Sequence, residues 1–199
     1  MPEARASADR LGAFSDAVIA VIITIMVLEL KPPDGSRLAD LLPLWPTAIS
    51  YPVSYLFIAI IWVNHHHLMR FVHYPTPRLI WLNFVHLFFV SLIPFATAWV
   101  ARSEMAPVPV ALYATVFLLV DIAYLVFERE VLALADRQTM PDRIRKRAQR
   151  RTILAVVLFG IGAVVAPFVP LLGFGVVCTA LLLYLSPEAL HKPLEQSVH

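Results

Sequence analysis

Long apolar segments fill most of this chain, and they limit what it can fold into. A helix needs about 20 mostly apolar residues to cross the roughly 30 Å hydrocarbon core of a bilayer. The pattern predicts six membrane-spanning helices, at 10–30, 47–69, 79–101, 108–127, 152–169 and 171–187. The last two have no polar loop between them, and the prolines and glycines of PFVPLLGFG at 167–175 predict the turn of a helical hairpin there.

The composition agrees with this reading. Hydrophobic residues make up 59% of the chain and charged residues only 15%, too little polar surface for a soluble domain of this length. We therefore predict an all-α, polytopic membrane protein with one transmembrane domain over residues 1–199. Walker motifs, nucleophile elbows and glycine-rich phosphate loops are missing from the sequence, so we expect neither an enzyme nor a cofactor.

Lysine and arginine are unevenly distributed among the segments that join the predicted helices. All but three of the 16 lie in the N-terminal segment, the 70–78 and 128–151 loops and the C-terminal tail; the exceptions are Lys31, Arg37 and Arg102. This asymmetry predicts that both termini are cytoplasmic in a cell membrane. The basic run RIRKRAQRR at 143–151 would also favour anionic lipid headgroups. We expect lipids as partners, and no nucleic acid.

A charge cluster lies at the start of the first apolar helix. Arg10, Phe14, Ser15 and Asp16 form the pattern R-x-x-x-F-S-D. Asp16 lies about 240° around the helix from Arg10, so the two charges do not pair on one helix. Ionisable groups near hydrocarbon are costly and are usually bonded to another polar group, which predicts partners on neighbouring helices. The alternative is that these residues simply lie at the depth of the lipid headgroups.

Three stretches of the chain resemble a known family. RLGAFSDAVIAVIITIMVLEL, 10–30, resembles the signature helix of the transmembrane protein 175 family, the endolysosomal and prokaryotic potassium channels. The second span is similar to that family in Tyr51, Ser54, Tyr55 and in IIWVNHHHLMRF, which contains Trp62 and His65 to His67. The third is similar in Trp81, Leu82, Asn83, Pro94, Phe95 and Thr97. The resemblance is specific over residues 10–97.

The resemblance implies a homotetramer of six-span subunits in which the first helix of each subunit lines a central pore. It implies passive conduction of K+ through a constriction of apolar side chains, without a filter of backbone carbonyls. It also implies that charged and aromatic residues of the first three spans form an assembly network that holds the pore helices. In this chain the matching residues are Arg10, Phe14, Ser15, Asp16, Trp62, His65, His66, Trp81 and Asn83.

Helical periodicity suggests which residues of the first span would face a pore. Steps of three or four from Phe14 give one stripe, which continues through Ala17 or Val18 to Val21, Ile25 and Leu28, with Thr24 beside it. By its position after F-S-D, Val21 matches the narrowest apolar ring of the family. Rings of this kind oppose hydrated ions by dewetting and discriminate by the cost of dehydration. The alternative is a stripe that faces lipid or packs internally.

Glu29, at the outer end of the first span, has two readings. It would form an acidic ring that concentrates cations at the pore mouth, or it is a solvated interfacial residue.

Two further motifs suggest a metal site and a carbonyl filter, but each has a simpler explanation. His65, His66 and His67 are consecutive, so on a helix they point about 100° apart and do not converge on a metal ion. We therefore expect no metal site and predict hydrogen bonds within the helix bundle. GFG at 173–175 is preceded by Pro170 and two leucines rather than by a threonine, so we expect a turn and not a carbonyl filter.

Two other functions remain open from the residues alone. Asp121 is the one carboxylate deep in a later span, so a proton- or cation-coupled transporter would use Asp16, Asp121 and the membrane histidines. Transporters often have helices broken by glycine or proline, whereas the first span has neither between Ala13 and Leu30, which favours a pore. A membrane scaffold that conducts no ions is the third possibility.

Overall fold

The chain forms helices and no strand throughout the part that the structure describes, which confirms the all-α prediction. This structure is a computed structural model that describes residues 2–135 and 142–184, with side chains over 6–135 and 145–184. The α-helices are α1 (Pro2–Val27), α2 (Trp45–Met69), α3 (Pro77–Ser91), α4 (Ile93–Arg102), α5 (Pro107–Leu134), α6 (Asp142–Val165) and α7 (Pro170–Tyr184). A 3₁₀ helix, Leu38–Leu44, precedes α2. The predicted cytoplasmic C-terminal tail lies outside the described residues.

Five of these elements are long and apolar enough to cross a membrane, with α3 and α4 counted as one. The sixth, α7, has 15 residues and is shorter than a full crossing requires. The helix ends differ from the predicted ones: α1 ends at Val27 instead of residue 30, and α5 continues to Leu134 instead of 127. The six crossings and the single domain stay predictions.

The third predicted span is two helices rather than one. The backbone N–H of Leu92 bonds to the carbonyl of Phe89, three residues back, and α4 begins at Ile93 with Pro94 in its first turn. Proline has no N–H to donate and its ring pushes against the preceding turn, so an α-helix kinks at this point. The kink separates α3, which begins at Pro77, from α4, which ends at Arg102.

The predicted hairpin between α6 and α7 is present, but its turn is shorter than expected. Ala166 to Val169 join the two helices, and Gly173 to Gly175 lie inside α7. The expectation that GFG forms the turn was therefore wrong. A Cβ added at Gly173 would lie 2.7 Å from the Cα of Ala166, so glycine here permits close packing of α7 against the end of α6.

Helix α5 lies at the centre of the bundle and packs against α3, α4, α6 and α7. Aromatic rings fill the space around it: Phe117 stacks on Phe57 of α2 with centroids 4.1 Å apart, and meets Phe159 of α6 nearly at right angles at 5.7 Å. Helix α1, in contrast, packs only on one side, against α2, α3 and α4. Its other side faces away from the subunit.

Candidate functional site

Helix α1 has two opposite faces with different surroundings. The packed face, which contacts the rest of the subunit, consists of the buried residues Ala8, Leu11, Ser15, Ile19, Ile22 and Met26. The open face carries the stripe predicted from periodicity, with exposed fractions of 45% at Phe14, 55% at Val21, 43% at Ile25 and 75% at Leu28. Ala17 and Thr24 are exposed with them, whereas Val18 is half-buried against the core. The open face is thus a continuous apolar surface that this subunit leaves uncovered.

A chain of three buried polar side chains holds the packed face. The Ser15 hydroxyl donates to the carbonyl of Leu11 at 2.9 Å, so its oxygen is the acceptor for the Asn83 amide, whose Nδ2 lies 2.9 Å away. That fixes the orientation of Asn83, and its Oδ1 then accepts from Nε2 of His65 at 2.8 Å. All three side chains are completely buried. The chain ties α1 to α3 and α3 to α2 at one level of the bundle.

A second set of contacts, around Asp16, lies beside the first. The indole N–H of Trp62 donates to Oδ1 of Asp16 at 3.0 Å, and Nδ1 of His66 lies 3.8 Å from Oδ2. His66 stacks on Trp62, and its Nε2 lies 3.4 Å from the Arg70 guanidinium. Asp16 is half-buried, so these contacts are partly shielded from water. They join the middle of α1 to the second half of α2, and they supply the partners on another helix that the sequence predicted for this carboxyl group.

The aromatic members of the predicted network take a peripheral place. Phe14 meets Phe84 of α3 with ring centroids 5.4 Å apart, and Phe84 meets Trp81 at 6.1 Å. Trp81 is 71% exposed, and the side chain of Arg10 is exposed without a hydrogen bond or ion pair among the described residues. Within one subunit, therefore, Arg10 is not joined to the histidines and tryptophans of neighbouring helices. A role for Arg10 and Trp81 in assembly stays a prediction.

Two polar residues remain near the open face. Thr24 donates its hydroxyl to the carbonyl of Val21 at 2.8 Å, and its oxygen can still accept a hydrogen bond. Glu29, past the end of α1, accepts from the Arg102 guanidinium of α4 at 2.8 Å. Both readings of Glu29, the acidic ring and the solvated interfacial residue, stay predictions.

Sequence reasoning missed a second buried polar cluster, in the half of the bundle that contains α4. The Ser54 hydroxyl lies 2.8 Å from the Tyr113 hydroxyl and 2.7 Å from that of Thr97. Ser54 and Thr97 belong to the resemblance, but nothing in the apolar run around Tyr113 indicates that its hydroxyl is bonded. The cluster fixes α2 against α4 and α5, and so supports the helices on which α1 packs.

The three consecutive histidines lie in three different environments, as their helical spacing requires. His65 is buried, His66 is half-buried and His67 is exposed. The ring of His86 lies parallel to that of His65 with centroids 6.1 Å apart, and its Nδ1 donates to the carbonyl of Val120 at 3.3 Å. Over the described ranges, no three histidine, cysteine, aspartate or glutamate side chains are placed to hold a metal ion.

Asp121 has a partner within the bundle. Its Oδ2 accepts from the Tyr184 hydroxyl at 3.1 Å, and its side chain is almost fully buried between α5 and α7. It therefore lies well away from the open face of α1.

Comparisons with known proteins agree on the region that contains both faces of α1. Residues 10–94 match the family described as the endosomal/lysosomal potassium channel TMEM175. A protein named as a potassium channel from Chryseobacterium sp. (strain P1-3) is 35% identical over 190 residues, which cover 95% of this chain and 96% of the relative. The endosomal/lysosomal proton channel TMEM175 of Homo sapiens is 31% identical over 102 residues, 45% of this chain and 20% of that protein.

A solved structure extends the similarity to nearly the whole chain. The crystal structure of a lysosomal potassium-selective channel TMEM175 homolog from Chamaesiphon minutus superimposes with a TM-score of 0.80 at 25% sequence identity. The superposition covers 90% of this chain and 97% of that one, so it includes α4 to α7, where the resemblance in sequence is weak.

Proposed function

This chain belongs to the TMEM175 family, and from that premise we propose that it is a multi-pass membrane channel that conducts potassium ions passively. The observation that carries the proposal is the open face of α1. Helix α1 leaves a whole apolar stripe uncovered along its length, on the side opposite the buried residues Ser15, Ile19 and Ile22 that pack against the subunit. Such a stripe suits a helix whose exposed face is covered only when further copies of the chain assemble around it.

We infer that four copies surround a central pore, as the family resemblance implies, with the open face of each α1 turned inward. Val21, Thr24, Ile25 and Leu28 would then form stacked rings over about 10 Å of the pore axis. The packed face supports this arrangement, because the bonds of Ser15 and Asp16 fix the rotation of α1 about its own axis. A fixed rotation is what keeps the same side chains on the pore axis in every subunit.

Ion selectivity in this pore would depend on the free energy of removing water from the cation. Branched apolar rings offer a hydrated cation no replacement for its water, so passage favours the ion that loses water at least cost. K+ is larger than Na+ and binds its water less strongly. The Thr24 oxygen, whose proton is directed to Val21, is the polar acceptor between the Val21 and Leu28 rings. Neither a cofactor nor a catalytic residue is needed for this passage, and the proposal includes none.

The orientation and the membrane remain part of the proposal. The charge asymmetry supports cytoplasmic termini in a cell membrane. On α6, Lys146, Arg147 and Arg150 are exposed just before the apolar part of the helix, at the level where anionic headgroups would lie. This placement supports contact between the 143–151 run and anionic lipids.

The open face also argues against a coupled transporter. Helix α1 is continuous from Pro2 to Val27, and the carboxylate within its apolar part, Asp16, is bonded to Trp62. Asp121 is bonded within the bundle between α5 and α7. The groups that a carrier would use are therefore separated from each other and from the surface we assign to the ion.

The test is ion flux from proteoliposomes containing the purified protein, with K+ or Na+ inside and no proton gradient imposed. We expect fast passive efflux that favours K+. The matched pair is Val21→Ser on the open face and Val164→Ser on α6, since both valines are exposed and more than half uncovered. Only Val21→Ser should change the ratio of K+ to Na+ flux. Flux that requires a proton or sodium gradient would replace the channel with a carrier, and equal effects of the two variants would remove α1 from the pore.

A further inference from the structure

A third polar cluster lies where α2, α5, α6 and α7 meet, and conduction as proposed above does not use it. Its centre is Arg151 of α6. The guanidinium donates to Oδ1 of Asn64 on α2 at 2.9 Å, and its carbon lies 5.0 Å from the ring centroid of Tyr184 on α7. A single side chain therefore contacts two helices other than its own.

Two buried carboxylates of α5 complete the cluster. Asp121 and Glu128 are seven residues apart and lie on the same face of the helix, and each has only 3% of its surface exposed. Tyr184 donates to Asp121, and the Thr152 hydroxyl, next to Arg151, donates to the carbonyl of Ala148 at 3.3 Å. Among the described side chains, no ion pair of 4.0 Å or less joins Arg151 to Asp121 or Glu128. The side-chain hydrogen bond that fixes the guanidinium is therefore the one to Asn64.

The bond to Asn64 joins α6 to α2 and not to the acids of α5. Asn64 lies between Trp62, which bonds to Asp16 of α1, and His65, which bonds to Asn83 of α3. The residues of α2 that hold the packed face of α1, directly or through Asn83, thus flank the residue that Arg151 contacts. One charged hydrogen bond in this way connects α6 to the turn of α2 that positions the pore helix.

We propose that Arg151 is a positioning residue for ion conduction: by bonding to Asn64 it fixes the rotation of α2, and through Trp62 and His65 that of α1. This inference rests on the proposed function. Losing the bond lets α2 turn within the bundle. The bonds of Trp62 to Asp16 and of His65 to Asn83 then lengthen, and the rings of the open face become less regular. Selectivity then falls even though the complex still assembles.

Asn64→Leu is the variant that separates positioning from the other contact of Arg151. It removes the acceptor on α2 and leaves the guanidinium against the ring of Tyr184. We expect K+ flux per assembled complex to fall on the order of tenfold, which is the effect of one bond of about 1.4 kcal/mol, and the ratio of K+ to Na+ flux to fall with it. Thermal stability of the complex should change little, because Arg151 is only half-buried and keeps its contact with Tyr184.

A double substitution that shortens one side chain and lengthens the other should restore the flux ratio. Lysine is shorter than arginine and glutamine is longer than asparagine, so Arg151→Lys should lower the flux ratio and Arg151→Lys with Asn64→Gln should restore it. The control is Arg78→Gln, which breaks the ion pair of 3.3 Å between Arg78 of α3 and Glu130 of α5 without contact to α2. We expect wild-type flux and selectivity from this control.

Hydrogen–deuterium exchange over the α2 peptides of the same samples gives a measure that does not depend on conduction. Faster exchange around 62–66 in Asn64→Leu, but not in Arg78→Gln, supports the positioning role even if the wild type conducts no ions, in which case only the proposed function fails. An unchanged flux ratio together with unchanged exchange would overturn the inference and leave Arg151 as a packing partner of Tyr184.

Discussion

The two faces of α1 differ in burial and in hydrogen bonding, although their residues are neighbours in sequence. On the packed face, Ser15 is completely buried and fully bonded, and Ile19 beside it has no exposed surface. On the open face, Leu28 leaves three quarters of its surface uncovered and Val21 more than half. A soluble helix places polar groups outward and apolar groups inward, whereas here the polar groups are inside. Apolar exposure in such a helix marks a surface that meets lipid or another subunit, not a defect of folding.

The difference implies two kinds of sensitivity to mutation. The packed face depends on hydrogen bonds in a low-dielectric environment, where a missing partner is costly. The open face depends on the size and polarity of its rings, and its residues contribute little to holding the subunit together. Substitutions on the packed face should therefore reduce assembly, and substitutions on the open face should change ion passage in a complex that still assembles.

The largest effect is expected at Asn83. Asn83→Leu keeps the volume but removes both bonds; Ser15 keeps its bond to Leu11, whereas His65 Nε2 loses its partner in the buried core. The unpaired His65 N–H costs about 1–3 kcal/mol and the lost bond to Ser15 about 1 kcal/mol, so we expect about 2–4 kcal/mol of destabilisation and loss of the assembled complex. Size-exclusion chromatography after a series of heating steps measures it. Trp81→Leu, on the exposed side of the same helix, is the control, and equal melting of the two variants would contradict the comparison.

Next in size is the effect of a polar residue on the open face. Ile25→Ser replaces one apolar ring by hydroxyls that stabilise hydrated Na+, so we expect the K+ to Na+ flux ratio to fall on the order of tenfold, or about 1.4 kcal/mol. The complex should melt as the wild type does, because Ile25 contributes little to the packed face. Leu171→Ser, at an exposed position of α7, is the matched control. A retained flux ratio would exclude Ile25 from the constriction.

Much of this comparison was accessible from the sequence. A period of 3.6 residues places Val21, Ile25 and Leu28 on one side of a helix. The resemblance to the family placed Ser15, His65 and Asn83 together in one network. What the sequence does not contain is how the helices cross. The position of Asn83 between Ser15 and His65 depends on the level at which α3 meets α1 and α2, and periodicity within one helix does not determine that level.

The same limit explains what sequence reasoning missed. Tyr113 looks like one more aromatic of an apolar span until Ser54 and Thr97 are brought to it from two other helices. Asp121 was recognised as unusual, but Tyr184 is 63 residues further along the chain and nothing local connects them. The kink at Pro94 had a local signal, since proline disrupts a helix, yet the continuous hydropathy of 79–101 favoured one span.

Asp16, at the boundary between the two faces, should show an intermediate effect. Asp16→Ala removes the acceptor of the Trp62 bond, but the site is half-buried and water replaces part of the loss, so we expect about 1 kcal/mol and partial dissociation of the complex. Asp16→Asn keeps an acceptor for the indole and should recover most of the assembly. An intact complex with altered conduction in Asp16→Ala would instead place Asp16 in the ion pathway.

The smallest effect is expected where the two faces meet, at the outer end of α1. Glu29 is paired with Arg102, whose side chain is 64% exposed, so the pair contributes well under 1 kcal/mol to stability. Its influence is on the local charge at the mouth. Because Arg102 compensates Glu29, Glu29→Gln should change K+ flux by less than about twofold, whereas Arg102→Gln frees the carboxylate and should raise flux at low ionic strength.

The measurement is flux at about 10 mM and about 150 mM salt, since the Debye length falls from about 30 Å to about 8 Å between them. An increase in Arg102→Gln that disappears at high salt identifies a charge acting at the mouth. Arg37→Gln is the control, because Arg37 belongs to another exposed pair, with Asp40 at 3.4 Å, in the segment between α1 and α2. If both arginine variants raise flux equally, the effect comes from the overall charge of that surface. The outer end of α1 would then be an ordinary solvated interface, and the open face would end at Leu28.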